Sequence, residues 1–179
     1  KFKNKQPLHL ELGCGKGTFI AKLACKNTEI NYLAVDIKSE VLGIAKRNIE
    51  AEYLANKQPI DNVLITAQEI GLIQNMLNER DIVDRIYINF CNPWPKPKHN
   101  KRRLTYPTLL EKYKVFLKPQ GEMHFKTDDD DLFNASKVYF EQCGFEIIKI
   151  TYDLHSENNP DNIITEHEEM FSKQGIKIK

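Results

Sequence analysis

A short apolar run, His9-Leu10-Glu11-Leu12, breaks at Gly13-Cys14-Gly15-Lys16-Gly17 and gives way to a helical pattern from Thr18 to about Lys26. A strand, a glycine-rich turn and a helix form a nucleotide-binding βα unit, in which small residues let the backbone approach a ligand. Two common nucleotide loops are excluded by single residues. A dinucleotide fingerprint needs Gly or Ala where Thr18 stands, and a P-loop needs Ser or Thr directly after Gly-Lys, where Gly17 stands. What remains is Glu-x-Gly-x-Gly-x-Gly, with Glu11 at its head.

The elements that follow fit an α/β sheet. Asn31 to Val35 reads as a second buried strand, with Asp36 at its end about twenty residues beyond the glycines. A doubly wound sheet places there the acid that accepts from both ribose hydroxyls. Capping the next helix is a competing role for Asp36, and the two are compatible. Lys38 to about Leu54 is an amphipathic helix, with Val41, Ile44, Ala45, Ile49 and Ala51 expected toward the sheet. Asn62 to Thr66 is the third strand, followed by the Thr66-Ala67-Gln68 turn. Leu72 to Leu77 is a short helical piece, and Arg85 to Phe90 the fourth strand. Leu104 to about Phe116 is a helix that admits Pro107 in its first turn. Lys118 to Gly121 turns into a strand over Glu122 to Lys126. Asp128 stands at that strand's end and opens a helix to about Cys143. Acid–dipole contact competes with function for Asp128 and accounts fully for Asp129, Asp130 and Asp131. Phe145 to Leu154 alternates toward a sixth strand, followed by an Asn-rich loop over Ser156 to Asn162.

The fourth strand runs into Asn92-Pro93-Trp94-Pro95-Lys96-Pro97-Lys98-His99-Asn100-Lys101-Arg102-Arg103. Three prolines in five residues forbid helix there and remove three backbone donors. The only tryptophan sits inside this stiff turn, and no acidic residue occurs between Arg85 and Leu110. A rigid loop at a strand end, an aromatic plane, an amide and a basic tail suit a base and its phosphates. By composition alone, a Pro-rich turn before a solvated charged helix start explains it equally well.

At 179 residues one domain, 1–179, is the natural count. The fractions of 28% charged and 41% hydrophobic residues are those of a soluble globular protein. The net charge is only +1, so affinity for nucleic acid has to come from uneven placement of charge. No apolar run has the length to span a membrane and no signal peptide is visible. Cys14, Cys25, Cys91 and Cys143 show no metal-like spacing, so a reduced, cytoplasmic protein without metal is expected. Nothing in the sequence separates a monomer from a homodimer.

Glu11-x-Gly13-x-Gly15-x-Gly17 resembles the first motif of class I S-adenosylmethionine (SAM) methyltransferases. Asn92-Pro93-Trp94-Pro95-Lys96 with His99-x-Lys101-Arg102-Arg103 closely resembles the signature of the bacterial tRNA (guanine-N7)-methyltransferases: Asp-Pro-Trp, then a Lys, then Arg-His-x-Lys-Arg-Arg. The resemblance runs from about Leu8 to about Gly175. Asn92 stands where the family has Asp, Lys98 where it has Arg, and Thr66 where Asp is frequent. It implies a Rossmann-like class I fold: a mostly parallel twisted sheet with an antiparallel last strand and helices on both faces. It also implies methyl transfer from SAM to N7 of a guanosine in the variable loop of tRNA.

SAM carries no phosphate, so the glycine turn would face a methionine carboxylate while Glu11 accepts from the amino group. Gly13, Gly15, Gly17, Asp36, Thr66, Ala67, Gln68 and Asn92 complete the implied cofactor set. Asn92 and Asp128 are the catalytic candidates, and Lys96, Asp128, Thr165 and Glu168 the substrate contacts, the last two on or beside the antiparallel strand. Lys98, His99, Lys101, Arg102 and Arg103 are set against the tRNA backbone. Family members usually carry a basic N-terminal arm, so such a segment is expected to precede Lys1. Two alternatives stay open. Asn92-Pro93-Trp94 is also similar to the Asn-Pro-x-aromatic loop of amino-group methylases of nucleic acid or protein, and a non-catalytic RNA-binding module would keep the basic loop alone.

Overall fold

The computed structural model describes residues 2–179. Five strands form one sheet: β1 (Leu8–Leu12), β2 (Asn31–Asp36), β3 (Val63–Ala67), β4 (Val83–Asn89) and β5 (Leu117–Lys126). Their spatial order is β3-β2-β1-β4-β5, and every neighbouring pair is parallel. The helices are α1 (Thr18–Lys26), α2 (Ser39–Ala55), α3 (Pro107–Lys114), α4 (Asp130–Gln142) and α5 (Glu166–Lys173). Three 3₁₀ segments, Ile70–Asn75, Pro97–Arg102 and Leu154–Glu157, fill connections. The strand order reverses between β1 and β4, which opens a crevice beyond their carboxyl ends.

Strand alternation sorts the core into two layers. Leu10, Leu12, Val35, Ile86 and Ile88 face α3, packing with Leu109, Leu110, Tyr113 and Phe116. Tyr32, Ala34 and Tyr87 face α1 and α2, packing with Phe19, Ile20, Ala45 and Tyr53. The buried stripe of α2 is Leu42, Ala45, Ile49 and Tyr53, with Val41 and Ile44 half-buried and Ala51 exposed. The expected inward position of Ala51 fails because two residues past Ile49 is about 200° around the helix. Gly17 is required at the other end of this contact. A Cβ built there would lie 2.7 Å from that of Ala45, at a φ of +69°.

Among the boundaries that differ from expectation, three have a local cause. The helix expected from Leu104 begins at Pro107, whose ring suits the first helical position. Lys118 to Gly121 lies inside β5 as an irregularity, because the register with β4 shifts between Val83 and Arg85. Pro97 also occupies a first helical position, so the prolines exclude helix only up to Lys96, and a 3₁₀ turn follows.

The expected sixth, antiparallel strand is absent among the described residues. The run expected to form it, 145–154, has no ladder partner and leaves Ile148 75% exposed; alternation describes a face, but a strand needs paired backbone. Backbone pairing near the β5 edge instead links Thr127 with Lys179 in both directions (3.0 and 2.9 Å) and Leu154 with Ile178 (2.8 Å). The region expected beside that strand is α5, started by a capping box in which Thr165 and Glu168 satisfy each other's backbone N–H. No helix among the described residues is long and apolar enough to cross a membrane.

Candidate functional site at the carboxyl edge of the sheet

Alternation gives Asp36, Glu11, Asn89 and Lys126, on four adjacent strands, the face that α1 and α2 cover. Glu11 is 2% exposed. Burial pushes its carboxyl up to about 8; the nearby Asp36 charge adds to this, while the Asn89 hydrogen bond and the Lys126 charge oppose it. Asn89 Nδ2 donates to Glu11 Oε1 at 3.3 Å. Glu11 Oε2 and Asn89 Oδ1 are both buried with no hydrogen-bond partner. Two orphaned acceptors on side chains that bond to each other favour a ligand that brings N–H donors, and above all a cation. Asn89 escaped the sequence reading. Its signal was a polar residue closing the apolar run Ile86-Tyr87-Ile88, in the same alternation as Tyr87.

The glycine turn is bound to the end of β2. Gly13 and Cys14 donate their backbone N–H to the Val35 carbonyl at 2.8 and 3.1 Å, and Gly15 donates to Asp36 Oδ2 at 2.8 Å. Asp36 Oδ1 accepts from the Lys38 backbone at 3.0 Å, so Asp36 also holds the entry to α2. Each carboxylate oxygen keeps a lone pair for a ribose hydroxyl. Gly15 has a φ of +52°, and a side chain there would meet only open space, which leaves a cradle for a ligand against the backbone. These features fit the methyl donor that the sequence resemblance implies. At the end of β3, Thr66 is half-buried and Ala67 exposed, while the Gln68 side chain donates to the carbonyls of Glu69 and Leu72. Of the three residues expected to meet an adenine, Gln68 has its amide already engaged, while Thr66 and Ala67 make no side-chain hydrogen bond among the described residues.

The proline loop leaves β4 through Phe90, at a φ of +50°, and stacks its ring on His167 of α5 at 5.7 Å. Asn92 is exposed, and its Oδ1 accepts from the Trp94 backbone at 3.0 Å, closing a tight turn. The Arg102 guanidinium lies over the Trp94 ring at 5.1 Å, and His99 packs beside the indole at 5.7 Å. Lys96, Lys98, Lys101 and Arg102 are exposed and His99 is half-buried. Arg103 departs from the expected row of phosphate contacts. It is 5% exposed, and its Nε donates to the Pro93 carbonyl at 2.7 Å.

At the end of β5, Asp128 is half-buried, and its carboxylate makes no hydrogen bond or ion pair among the described residues. Its neighbour Asp129 caps α4 by accepting from Leu132. Thr165 and Glu168, expected to meet substrate, are 6% and 0% exposed. The Glu168 carboxylate is held by Lys126 (3.2 Å), His155 (2.9 Å), Asn162 (2.6 Å) and the Thr165 backbone (3.2 Å). Burial pushes this carboxyl up, but Lys126 and the surrounding donors outweigh it and hold it below the usual carboxylate range.

The family described as "Putative methyltransferase" matches residues 5–179. A tRNA (guanine-N(7)-)-methyltransferase of Clostridium beijerinckii is 62% identical over 99% of this chain and 81% of its own length. A protein of the same name from Clostridium acetobutylicum is 50% identical over 100% of this chain and 82% of its own. Among solved structures, the 16S rRNA methyltransferase KamB shares the fold, with a TM-score of 0.68 at 13% identity over 97% of this chain and 85% of its own. A methyltransferase from Pyrococcus furiosus does so with a TM-score of 0.63 at 23% identity, over 86% and 72%.

Proposed function

This chain belongs to the tRNA (guanine-N(7)-)-methyltransferase family, and we propose that its carboxyl-edge cleft transfers the methyl group of SAM to N7 of a guanosine in the variable loop of tRNA. The observation that carries this reading is identity of 50–62% across nearly the whole chain with relatives of that name. SAM, when bound, supplies a methyl group on a cationic sulfonium.

The chain's own residues have a limited task, because guanine N7 carries a free lone pair at neutral pH and needs no general base. They hold the two reactants in line and favour the positive charge that moves onto the purine. The paired acceptors Glu11 Oε2 and Asn89 Oδ1 suit the methionine amino group, and Asp36 suits the ribose. Gly15 leaves open space beside the backbone for the methionine end of the donor, Gly13 holds the turn, and Gly17 lets the turn pack against α2. The unengaged Asp128 carboxylate accepts from guanine N1–H and the 2-amino group and favours the cationic product. Asn92 orients the base by hydrogen bonding. Lys96, Lys98, His99, Lys101 and Arg102 line the outer side of the loop, where phosphates would lie. Thr165 and Glu168 dock α5 against Lys126, behind the substrate edge.

Incubation of the protein with SAM and unmodified tRNA, followed by nucleoside analysis, tests the reading. It expects 7-methylguanosine. Methylation of an exocyclic amine would support the Asn-Pro-x-aromatic alternative, and absence of SAM binding would reduce the chain to an RNA-binding module.

A further inference from the structure

The basic run 101–103 does not act as one surface. Lys101 and Arg102 are exposed, whereas Arg103, next in sequence, is 5% exposed. Its Nε donates to the Pro93 carbonyl at 2.7 Å, spanning ten residues of loop. No carboxylate lies within ion-pair distance of it among the described residues. Pro93 follows Asn92 directly, and the Asn92 side chain closes the same turn by accepting from Trp94. Prolines at 93, 95 and 97 deprive this loop of backbone donors, so little backbone bonding holds it to the core. Trp94 in turn sits at a φ of +46°, an uncommon conformation for a bulky side chain that needs support from its surroundings.

We propose that Arg103 is a positioning residue for methyl transfer, a buried brace that fixes the Asn92-Pro93-Trp94 turn and thereby aims Asn92, while phosphate contact is left to Arg102 and the exposed lysines. The brace depends on the fixed fork of a guanidinium, with Nε pointed at one carbonyl. A lysine keeps the charge and loses that geometry. A phosphate ligand behaves oppositely, since lysine binds phosphate as a point charge and retains most of the effect.

The inference rests on the proposed reaction, and its test includes readouts that do not. Arg103→Lys is expected to lower kcat on tRNA by about 10–100-fold, with KM for tRNA, SAM affinity and the salt dependence of tRNA binding at the parent's values. Because Trp94 is the only tryptophan, its emission reports this loop alone. In Arg103→Lys it should shift to the red and become more accessible to acrylamide, with the melting temperature unchanged. Should the variant fail to fold, the parent protein answers the question through phenylglyoxal labelling read by mass spectrometry. Arg102 should be labelled and then protected by tRNA, and Arg103 should stay unlabelled with or without tRNA. Near-parental turnover in Arg103→Lys, a salt slope flattened by about one in Arg103→Gln, or tRNA-sensitive labelling of Arg103 would each overturn the brace. A parent protein that forms no 7-methylguanosine would sink the reaction itself, and the tryptophan and labelling results would still stand.

Discussion

The Gly15 backbone N–H and the Asp36 carboxylate are joined by a 2.8 Å hydrogen bond, so the glycine turn after β1 and the acid after β2 form one unit. A ligand that bonds to Asp36 therefore also feels the shape of the turn. Asp36→Ala removes the proposed ribose acceptor and leaves the N–H groups of Gly15 and Lys38 without this partner. SAM affinity should fall by about 1–3 kcal/mol, roughly 5–150-fold in Kd, as measured by calorimetry. An unchanged Kd would reduce Asp36 to a local brace for the entry to α2.

Glu11 makes a prediction about pH. The unfolded chain releases its proton near 4.5 and the folded protein near 8, so between those values the folded state holds the extra proton. Stability from this group is therefore lost as pH rises from about 4.5 toward 8, and the loss levels off above that. Glu11→Gln has no such proton to lose. In ligand-free urea unfolding, the variant should gain on the parent by on the order of a few kcal/mol between pH 5 and pH 8. SAM binding to the parent at pH 7 should also release a proton, because an ammonium beside Glu11 favours the carboxylate. Equal pH slopes in parent and variant would show that Glu11 ionises normally.

How far the sequence revealed all this depended on the kind of signal. The first βαβ unit was legible to within a residue or two, because the glycine turn and the apolar runs around it are local features. Asp36 was placed correctly because its distance from the glycines is set by the length of α1 and its connections. The segment after α4 was not. Alternation over Phe145 to Leu154 resembles a strand, yet whether a backbone partner exists is decided by distant residues. The capping box of Thr165 and Glu168 has the same Thr-x-x-Glu pattern from which the family resemblance implies a guanosine contact, so the pattern alone does not separate the two roles. Arg103 was indistinguishable from Arg102 in sequence, since only packing turns one inward.

The burial of Glu168 bears directly on stability. Its carboxylate closes a network with Lys126, His155, Asn162 and the α5 cap, at 0% exposure. Glu168→Ala leaves the Lys126 ammonium half-buried without its partner, and should cost about 3–5 kcal/mol in chemical denaturation. Glu168→Gln keeps the shape and part of the hydrogen bonding, and should cost less. A residue that only met guanosine would leave stability untouched in both variants while raising KM for tRNA.

Asn92 is the site's clearest departure from the family signature, and the structure sharpens what should follow from changing it. Its Oδ1 is already used to accept from the Trp94 backbone at 3.0 Å, and the residue is exposed. Asn92→Asp presents an acceptor at the same reach, so the turn should survive and activity should be retained. A carboxylate would also favour the charge developing on the purine, so the rate should equal or exceed the parent's. Asn92→Ala removes the turn-closing acceptor and, on the proposed reading, the polar group that orients guanine. Turnover should then fall by roughly 10–1000-fold, the upper end matching loss of one preorganised polar contact. An amino-group methylase gives a different pattern, because its Asn holds a neutral amine through carbonyl and amide together and both substitutions would be damaging. The measurement is turnover on unmodified tRNA at saturating SAM, with 7-methylguanosine quantified directly. Asn92→Asp as inactive as Asn92→Ala would rule out simple positioning of guanine and favour the amine-methylating chemistry.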